Sequence, residues 1–217
     1  MKVFWFLVAI AVVLFFVFKD GCKSPGPAQA PIRTVGSRPV SGNFRILRKF
    51  RPLKISAYTA REKETDSTPR IASSGAYVFE GMAASSFEKI SPPLNSRGKP
   101  IWDGWQAAQV VIPSVARLRA SYYKDLNRLP THEDKILIEG MVRANAEFQK
   151  KVPHLVDRVF EVLDYMPDST VKQRRSVDIF RENLGEAYQI GETEGVVVWL
   201  VDAPTLRYDV RYVLKRR

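Results

Sequence analysis

"VLDYMPDSTVKQRRSVDIFRENLGEAYQIGETEGVVVWLVD", residues 162–202, carries three apolar stretches separated by a charged loop and a helical turn. Residues 158–166, "RVFEVLDYM", alternate with the period of two that a half-buried strand imposes. "SVDIF", residues 176–180, is a second short strand, and "EGVVVWLVD", residues 194–202, is a strongly β-branched one. Between them "RENLGEAYQIG" predicts a helical turn closed by Gly191. Short strands with helical inserts and no internal repeat are most simply accommodated by a mainly β fold, a small β-barrel decorated by helices.

The residues upstream extend this pattern. Residues 44–58, "FRILRKFRPLKISAY", alternate basic and apolar side chains, which predicts one or two strands with a basic exposed face. Residues 86–103 are rich in proline, serine and glycine and predict a surface loop. Beyond them Val115, Leu118, Tyr122 and Leu126 recur at helical spacing, as core packing does. "DKILIEG", residues 134–140, alternates and ends on glycine, which predicts a strand, with a short helix to follow it ahead of Pro153.

The amino terminus belongs to a different solvent. Residues 3–18 form an unbroken run of 16 apolar residues, just under the roughly 17–25 that a spanning helix needs. Lys2 precedes it, Lys19-Asp20 close it, and no small-x-small cleavage site follows, so residues 1–20 are expected to be an uncleaved transmembrane anchor, with a cleaved signal peptide as the alternative. Cys22 lacks the small apolar residues that precede a lipid-modified cysteine. Pro25, Pro27, Pro31 and Pro39 mark residues 21–42 as an extended linker, leaving residues 43–217 as one domain. Lys19, Lys23, Arg33 and Arg38 after the span lean that domain toward the cytoplasm.

A formal charge of +11 in 217 residues favours an anionic partner: cell-wall polymer, lipid headgroup or nucleic acid. The basic residues are scattered through "RILRKFRPLK", "KQRR" and "LKRR" without a recognition helix or an aromatic RNA-binding signature, so no nucleic acid is expected. One cysteine excludes an intramolecular disulfide, and with only His132 and His154 beside it no metal site or cofactor is expected.

Residues 162–202 resemble the end of the three-aspartate (3D) domain, a double-psi β-barrel also found at the core of the membrane-bound lytic transglycosylase A family. The matching residues are Asp164, then Ser176-Val177-Asp178-Ile179-Phe180, Glu186-Ala187, Gly191 and the strand 196–201. Residues 55–75, "ISAYTAREKETDSTPRIASSG", resemble its beginning through "ISAY", Asp66, Thr68-Pro69 and Ser74-Gly75, and "DKILIEG" looks like its central strand. Residues 87–131 have no counterpart. Tyr165-Met166-Pro167 stand where Gly-Gly often follows the aspartate, and the loop to Asp178 is charged rather than glycine-rich.

The resemblance implies a six-stranded double-psi barrel that cleaves the glycan strands of peptidoglycan, with Asp164 and Asp178 catalytic and Asp66 in support. Tyr58, Thr68, Ser74, Gly75, Lys172 and Arg175 would bind substrate. Such an enzyme works outside the cytoplasmic membrane, in the periplasm or cell envelope, against the charge lean of the anchor. Two carboxylates brought together repel, so one is pushed to hold a proton and can act as general acid and then base. If water attacks instead, the pair serves an inverting hydrolase, with carboxyls about 6.5–9.5 Å apart. Each aspartate also suits an ordinary turn, and Lys172, Arg174 and Arg175 suit a solvated basic loop. Tyr58, Trp102 and Trp105 suit either sugar stacking or capping of the core. The alternative function is a non-catalytic barrel that binds glycan or an envelope, secretion or phage protein.

Overall fold

The computed structural model describes residues 44–61, 68–87, 89–166 and 176–203. The basic and apolar alternation at the start of the domain forms one long strand, β1 (Arg45–Tyr58). It is followed by β2 (Met82–Ser85), β3 (Ala108–Val111), β4 (Val159–Tyr165), β5 (Ser176–Phe180) and β6 (Thr193–Asp202). Three helices interrupt them among the described residues: α1 (Val115–Leu126), α2 (His132–Lys151) and α3 (Leu184–Ile190).

The strands close into a six-stranded barrel in the order β1-β5-β2-β4-β3-β6. β1 runs parallel to β5 and β2 parallel to β4, while the remaining neighbours are antiparallel. This mixed barrel is compatible with the double-psi architecture. Its interior is filled by Ile55, Ala83, Val110, Phe160, Val162, Val177, Ile179, Val196 and Val198, all essentially sealed from water. Fully burying an aliphatic side chain of this size stabilises the fold by roughly 1.5–3 kcal/mol, so the β-branched run of β6 is a principal source of stability. β1 bends through three register shifts against β6, one of them spanning Pro52, which has no N–H to donate.

The expected helix appears as α1, and Val115, Leu118, Tyr122 and Leu126 pack into a second apolar cluster with Val197, Trp199 and Val201 of β6. The expected strand at residues 134–140 is not formed: this segment opens the 20-residue helix α2. Thr131 caps that helix by accepting from Asp134 N at 3.2 Å, and Asp134 Oδ2 accepts from Thr131 N at 2.8 Å, a reciprocal box that commits the chain to helix. The helical period then aligns Ile138, Val142, Asn145 and Phe148 on the buried face, an arrangement a seven-residue window conceals.

Asn145 is fully buried, and its side chain satisfies backbone groups that the barrel leaves open. It donates to Pro113 O at 3.2 Å and Val197 O at 3.1 Å and accepts from Val197 N at 2.8 Å, tying α2 to β6. β4 lies between β2 and β3, two four-residue strands that the sequence pattern does not announce. Among the described residues no helix is long and apolar enough to cross a membrane; residues 3–18 lie outside them.

A third apolar cluster lies on the outside of the barrel, where Ala72 and Ala76 of a loop pack over Met82, Leu163, Phe180 and Tyr58. Gly75, at φ 85°, supplies the left-handed turn that lets Ala72 N donate to Ala76 O at 2.9 Å. The loop is fastened to the barrel through Arg181, whose buried guanidinium pairs with Glu80 and Glu186. Arg70 and Glu182 add an exposed pair at 3.6 Å.

Candidate active site

Strand register places the site. Asp178 on β5 stands opposite Ser56 of β1 on one side and opposite Ala84 of β2 on the other. Asp164 on β4 stands opposite the same Ala84 from the far side. Ser56, Asp178, Ala84 and Asp164 therefore form one row across four adjacent strands. Their chain neighbours Ile55, Val177, Ile179 and Ala83 fill the barrel interior, so the row faces outward.

Asp164 reaches that row because β4 carries a bulge. Val162 pairs with Ala83 and Asp164 with Ala84, so Leu163 is an extra residue in the ladder. In an unbroken register Leu163 would face Ala84 and Asp164 would turn toward the interior; the bulge re-aims it outward. Two strand spacings separate the aspartate backbones by roughly 9–10 Å, and the intervening side chain is only a methyl group.

The two carboxylates are held differently. Asp164 Oδ1 accepts from Ser73 N at 2.9 Å, from the Ser73 hydroxyl and from Tyr165 N at 2.9 Å. Ser73 Oγ in turn accepts from Tyr165 N at 2.8 Å. Among the described residues, Oδ2 has only the Tyr58 hydroxyl, at 3.4 Å. One oxygen is thus fixed by the backbone and the loop, and among the described residues the other is held by a single long contact.

Asp178 is deeper and has fewer donors among the described residues. The Ser56 hydroxyl donates to its Oδ1. Burial pushes the Asp178 carboxyl above its ordinary range; the Ser56 bond and the nearby Lys54 pull it back, while Glu192 and Asp164 add to the rise. Lys54 itself pairs with Glu192. Burial, reinforced by the charge of Asp164 and the hydrogen bond to it, raises the Tyr58 hydroxyl far above its ordinary value, so it remains a neutral donor. Its ring packs edge-on against Phe180, its register partner, at 5.4 Å. Beyond Asp178, Ser86 and Ser176 extend the polar lining, with hydroxyl oxygens 3.3 Å apart.

Of the residues expected at a site, the structure brings Asp164, Asp178 and Tyr58 together. Ser74 and Gly75 shape the overlying loop: Ser74 Oγ accepts from Ala76 N at 3.4 Å, and Gly75 N donates to Ala72 O at 2.8 Å. Thr68 opens the same loop, its carbonyl accepting from Ile71 N at 2.9 Å. These three build the platform that delivers Ser73. Asp66, Lys172, Arg174 and Arg175 lie outside the described residues.

Ser73 and Ser56 are the site residues that motif reasoning passes over. Ser56 sits inside the matched "ISAY" and Ser73 directly before the matched Ser74-Gly75, and in each the hydroxyl is the available signal. Among the described residues no three His, Cys, Asp or Glu side chains gather as a metal site. No family model, curated protein or solved structure matches the chain.

Proposed function

We propose that the chain is a membrane-anchored enzyme of the cell envelope that cleaves the glycan strands of peptidoglycan in the manner of a lytic transglycosylase. The observation that carries this reading is the shared register of Asp164 and Asp178 on either side of Ala84, one carboxyl raised by burial and the other fastened by donors. The barrel is then a double-psi barrel, a reading supported by its parallel pairs β1/β5 and β2/β4.

In this reading Asp178 is the general acid. It gives its proton to the glycosidic oxygen as the bond to the anomeric carbon of N-acetylmuramic acid breaks, and Asp164 stabilises the positive charge that develops there. The sugar's 6-hydroxyl then attacks the same carbon, closes the anhydro ring and returns its proton to Asp178. Tyr58 and Ser73 hold Asp164 in place. Asp66 has a supporting role that rests on the resemblance alone. The substrate puts residues 43–217 outside the cytoplasmic membrane, with residues 1–20 as the anchor.

The test is incubation of the full-length protein, in detergent, with purified sacculi, followed by mass analysis of the soluble products. Wild type releases 1,6-anhydromuropeptides, and Asp178→Asn and Asp164→Asn do not. Products with a free reducing end assign hydrolysis instead. Sacculus binding with no release removes the enzymatic reading and leaves a glycan-binding barrel. An alkaline phosphatase fusion at the carboxyl terminus that stays inactive in cells overturns the envelope assignment.

A further inference from the structure

Residues 94–105 form an ordered hairpin-like excursion that the catalytic row does not use. Leu94 bridges Pro100, Asn95 N donates to Lys99 O at 2.8 Å, and Asn95 Oδ1 accepts from the backbone N–H groups of Arg97 and Lys99 at 2.9 and 3.0 Å. Gly98, at φ 69°, turns the tip and leaves Arg97 and Lys99 exposed. Neither has an ion-pair partner among the described residues.

At the base of this excursion Trp102 and Trp105 meet edge to face, with ring centroids 5.0 Å apart and planes at 80°. Trp105 N donates to Trp102 O at 3.1 Å, so the pair is set by a local turn. Both indoles remain partly exposed. Trp105 also packs against the outer apolar cluster that contains Leu163 and that Tyr58 packs against too, and against the first cluster. Leu163 is the bulge residue preceding Asp164, and the Tyr58 hydroxyl reaches Asp164 itself. Trp105 and the side chains that adjoin Asp164 therefore border one apolar cluster, on the outer face of the barrel that carries the carboxylate row.

We propose that residues 94–105 form a glycan subsite beside the carboxylate pair. Trp102, buttressed by Trp105, stacks on the C–H face of an N-acetylhexosamine ring, and Arg97 and Lys99 pair with carboxylates carried on the same strand. The ligand class is an anionic, N-acetylated glycan. An indole offers a large rigid apolar face beside a polar edge, which matches a sugar ring with one C–H face and a rim of hydroxyls. Two exposed cations at a fixed tip add charge complementarity that a neutral glycan would not need. The ligand assignment rests on the function proposed above; the aromatic and cationic geometry does not.

Calorimetry on the full-length protein in detergent separates the two. The probes are chitohexaose, which is neutral, and peptidoglycan glycan strands stripped of stem peptides by an amidase, which keep their lactyl carboxylates. Trp102→Ala weakens binding of both by about tenfold, and Trp102→Phe restores most of it. The double variant Arg97→Ala/Lys99→Ala weakens only the lactyl-bearing strand and flattens its salt dependence. Wild-type affinity in Trp102→Ala for both probes overturns the subsite.

Wild type that binds through Trp102 yet releases no anhydro product removes the cleavage reading and leaves the subsite standing. Trp102→Ala that binds and cleaves as wild type does the reverse. Wild type that neither binds nor cleaves removes both. Absence of glycan affinity together with Arg97- and Lys99-dependent binding to phosphatidylglycerol vesicles overturns the glycan assignment in favour of a membrane surface.

Discussion

Replacing Ser73 with alanine tests whether the loop over the barrel holds Asp164 in its working orientation. The hydroxyl donates to Asp164 Oδ1 and accepts from Tyr165 N at 2.8 Å. The Ser73 backbone N–H, 2.9 Å from Oδ1, survives the substitution, as does the Tyr165 N–H at 2.9 Å. One hydrogen bond to a carboxylate is lost, about 1.5–3 kcal/mol, and one to a backbone N–H that retains another acceptor, about 0.5 kcal/mol. The contact is exposed and water replaces part of it, so the net loss of stability is about 1.5–2 kcal/mol. Two remaining donors limit the displacement of the carboxylate, and kcat falls about tenfold rather than the roughly hundredfold of an ångström-scale misplacement. On the proposed mechanism KM is unchanged, because Ser73 acts through Asp164. Urea unfolding and the rate of anhydromuropeptide release measure the two effects, and Ser73→Thr restores both. Wild-type kcat in Ser73→Ala, or a loss confined to KM, refutes the positioning role.

Asp178→Asn abolishes product release and alters the pH dependence of stability. Because burial raises the folded-state carboxyl, its favourable contribution is intact below the unfolded value of about 3.9 and is lost as pH rises from there through the folded value. The variant is therefore more stable than wild type at pH 7 and nearly equal to it at pH 3; equal urea midpoint differences at both pH values refute the burial argument. Asn145→Ala leaves Val197 N–H and two carbonyls without partners in a fully buried position and costs about 3 kcal/mol, measured by urea unfolding. A cost below about 1 kcal/mol shows that α2 is docked by apolar packing alone. Thr131→Ala removes the cap of α2, lowers stability by about 1 kcal/mol and leaves product release unchanged, a control for changes distant from the site.

The strands with the densest β-branched composition were legible because their burial is written in their own residues. Val196, Val197 and Val198 face two different apolar clusters, and a run that is apolar on both faces has few other homes. β2, "MAAS", was hidden because small side chains carry little propensity; it is a strand because β4 and β5 flank it. β3 was hidden because four residues are too short for a period. The misread segment at 134–140 shows the converse failure. Its alternation is real, but Thr131 outside the window and Val142, Asn145 and Phe148 beyond it decide the conformation. The pairing of Asp164 with Asp178 was legible as chemistry and not as geometry, since their common neighbour, Ala84, lies in the hidden strand.

The bulge in β4 explains how Asp164 reaches the outward row although strict alternation would turn it inward. Phe160 and Val162 point into the barrel, and an unbroken period of two would send Asp164 in after them. There an aspartate would meet Val110, Val177 and Val196 with no donor among them, and a charged carboxylate without partners costs several kcal/mol or more. The burial pattern of the strand records the escape: Val162 and Leu163 are both buried in succession, one in the barrel and the other under the outer loop. Leu163 thereby contributes to the cluster that seats Tyr58 and the loop carrying Ser73, and both return hydrogen bonds to Asp164. The residue that breaks the alternation is also the apolar anchor for the groups that orient the carboxylate. A polar residue in its place would loosen Tyr58 and Ser73 together, which is why the aspartate and the leucine before it act as one unit.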